Sequence, residues 1–159
     1  MNKSKLSEIY KIIVAVMAML GIIIYFYAFP TVGKSIVNAY PEFSQRYLPW
    51  LVFIWITGIP CYAVLSYVWK IADSVGKNKA FVKENAVRFK RISQLAFLDS
   101  VFLTFGNLVL LFMNMNHPSV LILSLGISFI GIAISVTAYG LSYLTQNAAE
   151  LQEQSDLTI

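Results

Sequence analysis

Apolar positions in this chain fall into four long runs, at residues 9–29, 48–69, 92–113 and 119–144. Each holds about the 20 residues a helix needs to cross a hydrocarbon core about 30 Å thick, rising about 1.5 Å per residue. The pattern predicts an all-α fold in which residues 1–159 form a single integral membrane domain, a four-transmembrane-helix bundle. The first run is expected to stay as a span rather than be cleaved as a signal. It is too long for an h-region, and aromatic residues stand where a cleavage site needs small ones.

Polar residues between the runs orient the spans. Lys3, Lys5 and Lys11 precede or open the first run, and Lys70, Lys77, Lys79, Lys83, Arg88, Lys90 and Arg91 lie between the second and third. Only Lys34 and Arg46 lie on the other side, so ten basic residues face two. The positive-inside rule then places both termini and the middle loop in the cytoplasm of a multi-pass protein of the cell membrane. Pro30, Pro49 and Pro118 read as span ends, where a missing N–H is least costly. Pro60, beside Gly58, lies inside span two and predicts a kink.

Helical periodicity continues past the spans on the basic side. Ile71, Ala72 and Val75 keep the register of span two as far as Gly76, a helix stop, with residues 76–79 as the turn. From about Ala80 the chain reads helical again, so residues 70–91 form a basic helical hairpin of charge +5. Span four keeps its register through Leu141, Leu144, Ala148 and Leu151, extending the helix to about Glu153. Residues 145–159 carry Glu150, Glu153, Asp156 and a terminal carboxylate, about −4 in all. The basic hairpin and the acidic strip share one side of the membrane and should attract, although each exposed ion pair contributes little.

Lipid gives helices no hydrophobic reason to associate, so contact faces are sought among small and polar residues. Span four has such a seam in Ser124, Ser128, Gly131, Ser135, Ala138, Ser142, Thr145 and Ala149, spaced alternately by four and three. Span three has Ser93, Ser100, Asn107 and Asn114 seven apart, with Thr104 between them. These seams are read as helix-packing surfaces that meet each other or the bundle interior. Asp99 is the one carboxylate well inside a span and is a functional candidate for that reason. It lies about two turns from Arg91, within reach of water or of a basic residue from the hairpin. With Ser100, Thr104 and Asn107 it defines an alternative reading, a small transporter or transporter subunit.

Composition narrows the classes. At 58% apolar and 13% charged the chain is membrane protein, and the net charge of +4 is concentrated on one side rather than spread for nucleic acid. Direct nucleic-acid binding is therefore not expected. Cys61 is a lone cysteine read as a small core residue. The "GKS" at residues 33–35 has Ala28 where a phosphate loop needs glycine, and it reads as a turn. His117 is the single histidine, so neither a metal site nor a catalytic dyad follows from it. No cofactor is expected and an enzyme is not.

Two strings then become informative. "FVKENAVRFKRI" (81–92) and "LQEQSDLTI" (151–159) resemble the two signature segments of the domain-of-unknown-function family 2975, small bacterial four-span membrane proteins. Phe81, Glu84, Asn85, Arg88 and Arg91 match the first pattern, and Leu151, Glu153, Asp156, Leu157, Thr158 and Ile159 match the second. Val82 stands where the family usually has a hydroxyl residue as helix N-cap, a role Asn78 is expected to take. The resemblance implies a membrane component that partners a small helix-turn-helix DNA-binding protein of the Xre type.

The leading expectation is a non-enzymatic inner-membrane scaffold that binds a cytoplasmic regulator. Phe81, Lys83, Glu84, Asn85, Arg88, Lys90 and Arg91 of the hairpin would form the partner-binding surface together with Leu151, Glu153, Asp156, Leu157 and Ile159 of the strip. Within it Glu84, Asn85 and Arg88 would organise the hairpin, while Asp156, Leu157 and Ile159 would fix the tail against it or bind the partner. Anionic lipid headgroups are a further partner for the basic side. A structural protein that oligomerises through span four is the third reading.

Overall fold

The computed structural model describes the backbone of residues 3–157 and the side chains of residues 4–155. The contacts anticipated for the Asp156 and Leu157 side chains and for Ile159 lie outside the described residues. The chain is helical almost throughout, and no strand occurs among the described residues. Helix α1 (Lys3–Ile23) passes through a π-helical segment (Ile24–Ala28) into α2 (Phe29–Ala39). A 3₁₀ segment (Pro41–Arg46) leads to α3 (Tyr47–Gly76), α4 (Lys83–Phe112) and α5 (Pro118–Leu157). Four stretches are long and apolar enough to cross a membrane: Ser4–Ala39, Pro41–Gly76, Lys83–Phe112 and Pro118–Ser155.

The first span corrects the reading of Pro30 as its end, since helix continues nine residues beyond it to Ala39. Proline lacks an N–H, and its ring collides with the carbonyl four residues back. The π-helical turn just before it relieves this by shifting the bonding to five residues, so Phe29 N–H reaches the Ile24 carbonyl. The next bond in that register would run from Pro30 to the Tyr25 carbonyl and cannot form. Trp55 of α3 supplies the missing donor, its Nε1–H bonding that carbonyl at 3.0 Å. Within lipid such a substitution is necessary, because no water is there to serve. The "GKS" segment is helical too, not a turn. A Cβ on Gly33 would sit 2.6 Å from the Tyr47 ring and 2.9 Å from that of Trp50, so this glycine serves close approach.

Helices α3 and α4 end alike. Asn78 and Asn114 have φ of 59° and 53°, the left-handed conformation that asparagine tolerates better than other side-chain residues. Lys79 N–H bonds the Ser74 carbonyl and Asn78 N–H that of Val75; Met115 and Asn114 repeat the pattern on Leu110 and Leu111. Both are Schellman motifs. Asn78 thus terminates α3 rather than capping α4, whose N-cap position is Val82 without a side-chain cap.

The helices pack as a row, α1 on α3, α3 on α4 and α4 on α5. Among the described residues no Cα of α1 comes within 8 Å of α4 or α5, and none of α3 within 8 Å of α5. The buried positions are mostly small or polar, with Val14, Leu51, Ile54 and Ile92 the larger apolar ones among them, while most Ile, Leu, Phe and Val face outward, the inverse of a water-soluble protein. Helices α4 and α5 meet where Ser135 Oγ donates to the Ser93 carbonyl (2.9 Å) and Ser128 Oγ to the Ser100 carbonyl (3.2 Å). Thr104 Oγ1 donates to Ser128 Oγ at 2.8 Å, and Ser142 Oγ to the Ala86 carbonyl at 2.7 Å. Ser124 and Ala138 are buried along the same seam, and a Cβ on Gly131 would lie 2.2 Å from Ser100 Oγ. Asn114, in its cap, lies outside this interface.

Candidate functional site at the hairpin end

Six residues, Lys77 to Val82, join α3 to α4, and one side chain holds them. Asn85 is 0% exposed. Its Nδ2 donates to the Lys79 and Ala80 carbonyls, both at 2.9 Å, closing the turn over the first turn of α4. Its Oδ1 accepts from Arg88 Nη1 at 2.7 Å. The same guanidinium reaches back to α3, donating to Ser74 Oγ at 2.7 Å and to the Lys70 carbonyl at 3.3 Å. Asn85 and Arg88 therefore clamp the hairpin from within, the buried Asn85 amide using both its donors and its acceptor to hold a turn whose own residues are largely exposed. Glu84 stands 3.9 Å from Arg88, exposed and at the edge of ion-pair range.

The acidic strip reaches this hairpin. Lys83 Nζ lies 2.5 Å from Glu153 Oε2, tying the start of α4 to the end of α5 across 70 residues of sequence. Hydrogen bonding to Glu153 raises the Lys83 pKa above the ordinary lysine value, with added attraction from Glu153 and Glu150. The start of α1 joins from the other side. Ser7 Oγ donates to the Ala72 carbonyl at 2.7 Å, and Asp73 lies 2.7 Å from both Lys11 and Lys77. The Lys11 hydrogen bond, then that of Lys77, pulls the Asp73 carboxyl down to about 2. Sequence reasoning passed over Ser7, Asp73 and Ser74. The visible signal was an aspartate one helical turn before Lys77 on a strongly basic segment.

Other side chains of this end project outward. Phe81 is 59%, Val87 55% and Leu151 66% exposed. Lys90 and Arg91 are exposed, and Arg91 contacts Gln94 at 3.4 Å.

Deeper in the molecule, Asp99 parts company with the polar residues beside it. Ser100, Thr104 and Asn107 are turned into the α4–α5 seam, Asn107 being 1% exposed. Asp99 instead meets α3, where Cys61 Sγ donates to its Oδ2 at 3.7 Å. The Tyr25 hydroxyl lies 3.9 Å from that sulfur. Cys61, midway along α3, is thus exposed rather than packed in a core. Asp99 Oδ1 is enclosed without a hydrogen-bond partner, and Arg91 does not pair with it. No cluster of three or more His, Cys, Asp or Glu able to hold a metal occurs among the described residues.

A family model described as "Protein of unknown function (DUF2975)" matches residues 31–159. The chain belongs to the DUF2975 family. It is 30% identical over 134 residues, 82% of either chain, to the uncharacterized membrane protein YoaS of Bacillus subtilis (strain 168). No solved structure matches it. This DUF2975 protein is a membrane protein, with four helices long enough to span. The matched region holds both the Asn85–Arg88 clamp and the Lys83–Glu153 pair.

Proposed function

We infer that this DUF2975 protein is a non-enzymatic scaffold that holds a soluble regulator at the cytoplasmic face of the cell membrane. The excess of Lys and Arg at the hairpin end supports the cytoplasmic assignment of that end. The observation that carries the reading is the exposure among charges of Phe81, in the turn, and of Val87 and Leu151, on helices that run beyond the apolar spans. Apolar side chains in water beside an ordered polar frame are the usual makings of a protein interface. The clamp keeps the hairpin rigid, so docking orders little new chain. A small helix-turn-helix regulator is the partner suggested by family analogy.

The test is co-purification from native membranes in mild detergent, coupled to a transcription reporter for the regulator. Removing residues 151–159 is expected to release the regulator and change reporter output, and so is Phe81→Glu. If both variants reach the membrane at normal levels and leave recruitment and transcription unaltered, the scaffold reading fails.

A further inference from the structure

At the end opposite the hairpin, a pocket of about 550 Å³ opens between α2, the 3₁₀ segment, the start of α3 and the α4–α5 loop. Sites for small organic ligands typically run from about 300 to 1,000 Å³. The walls are rings held in place before any ligand arrives. Tyr47 and Trp50 press on Gly33, Tyr47 Oη bonds the Pro30 carbonyl at 3.3 Å, and Trp50 stacks edge-on to Phe29 at 6.4 Å. Tyr40 and Phe43 meet edge to face at 6.3 Å.

One cation lines the pocket without an anion. Arg46 donates through Nη1 to the Asn114 carbonyl, at the C-terminal end of α4, and its guanidinium lies 5.9 Å from the centroid of the Phe43 ring. Among the described residues it forms no ion pair, although Glu42 also lines the pocket. A guanidinium has five N–H donors in a fixed fork suited to carboxylate or phosphate. Here one is used for anchoring, leaving others for a ligand. Glu42 is exposed, so it disfavours bare inorganic anions that have no apolar body to hold them in place.

We propose that this pocket binds an organic anion, a carboxylate or phosphate carried on an aromatic or alkyl body, with Arg46 receiving the charge and the aromatic walls the body. The inference does not depend on what binds the hairpin. Either a soluble metabolite or the headgroup and upper chain of an anionic lipid supplies this chemistry.

The full chain, in nanodiscs of phosphatidylcholine, is titrated with 2-naphthoate and followed by saturation-transfer NMR. Binding is expected to be saturable and to weaken roughly tenfold or more in Arg46→Ala, the loss of a charge-assisted hydrogen bond. Lys34→Ala, which removes a basic residue outside the pocket, should leave it unchanged. The methyl ester of the probe should bind at least about tenfold more weakly than the acid. Loss of naphthoate binding in discs containing phosphatidylglycerol assigns the site to a lipid headgroup, and its persistence assigns it to a soluble anion; both support the proposal. Equal binding of acid and ester, or equal binding by Arg46→Ala, overturns it. Should Arg46→Ala not fold, Val120→Trp, which fills the pocket from α5, must abolish binding, and retained binding there refutes the site.

Discussion

Asn85 is a polar side chain wholly removed from solvent, and its three hydrogen bonds show why that is tolerated. Replacing it with Ala would free both turn carbonyls and remove one of the acceptors of the Arg88 guanidinium, a loss of about 1–3 kcal/mol. Asn85→Asp should be comparably damaging, because it keeps the acceptor for Arg88 but loses both donors to the turn. Unfolding in mixed micelles of increasing denaturing detergent measures both variants. Asp73 gives a pH signature at the same scale. Its folded pKa, about 2, lies below the ordinary carboxylate value, so its pairing stabilises the fold fully above about pH 4. That contribution drains away as pH falls from about 4 towards 2. Asp73→Asn should flatten this acid limb of the stability profile and leave the neutral region otherwise alike in shape. The residue types Asn85 and Arg88 were legible in the chain as part of a signature string. That they organise the hairpin was legible too, but the bonds by which Arg88 does so were not, because its partners on α3, the Lys70 carbonyl and Ser74, lie outside any local pattern.

Helices α4 and α5 show what periodicity can and cannot reveal about an element. A seam of small residues every three or four positions is visible in a chain because close approach in lipid demands it. The partner seam on α4 carries polar residues at a spacing of seven, and the two interlock along the hydroxyl bonds of Ser93, Thr104, Ser128 and Ser135. Gly131 marks a close approach, with no room for a Cβ beside Ser100 Oγ. Gly131→Ala should cost about 1–3 kcal/mol, since the new methyl group meets Ser100 Oγ. In a Ser100→Ala background that oxygen is gone, and the Cβ at position 100, 3.5 Å from the added methyl, is an ordinary contact. The cost should then largely disappear, a coupling that a double-mutant cycle of the unfolding free energies reads directly. Other features of the elements were hidden. Pro30 looked like an end because the π-helical turn and the Trp55 donor that accommodate it depend on a neighbouring helix. Asn114 shared the spacing of the α4 seam, yet it serves as a left-handed cap, a role fixed by where the chain must turn.

Across the molecule the row of helices leaves α1 and α5 at opposite edges, and the hairpin end gathers contributions from α1, α3, α4 and α5. Rigid and labile ties are combined there. The clamp is centred on the buried Asn85, with Arg88 half-buried, whereas the Lys83–Glu153 pair is exposed, with 54% and 60% of the two side chains accessible. An exposed pair is screened by salt, while a partly buried hydrogen-bonded clamp is screened much less, so the tail should detach from the hairpin well before the hairpin itself loosens. The raised pKa of Lys83 sets the alkaline limit: the tie is complete at neutral pH and is lost as pH rises through that value. Spin labels at residues 79 and 152, in a Cys61→Ala background, report the separation by double electron–electron resonance. A narrow distance distribution is expected at low ionic strength and a broad one at about 0.5 M salt, where the screening length falls to a few ångströms. Lys83→Glu should broaden it at any salt, and adding Glu153→Lys should restore the narrow form by reversing the pair. A distribution indifferent to all three changes would mean that apolar contacts of the strip, not this ion pair, hold α5 against the hairpin.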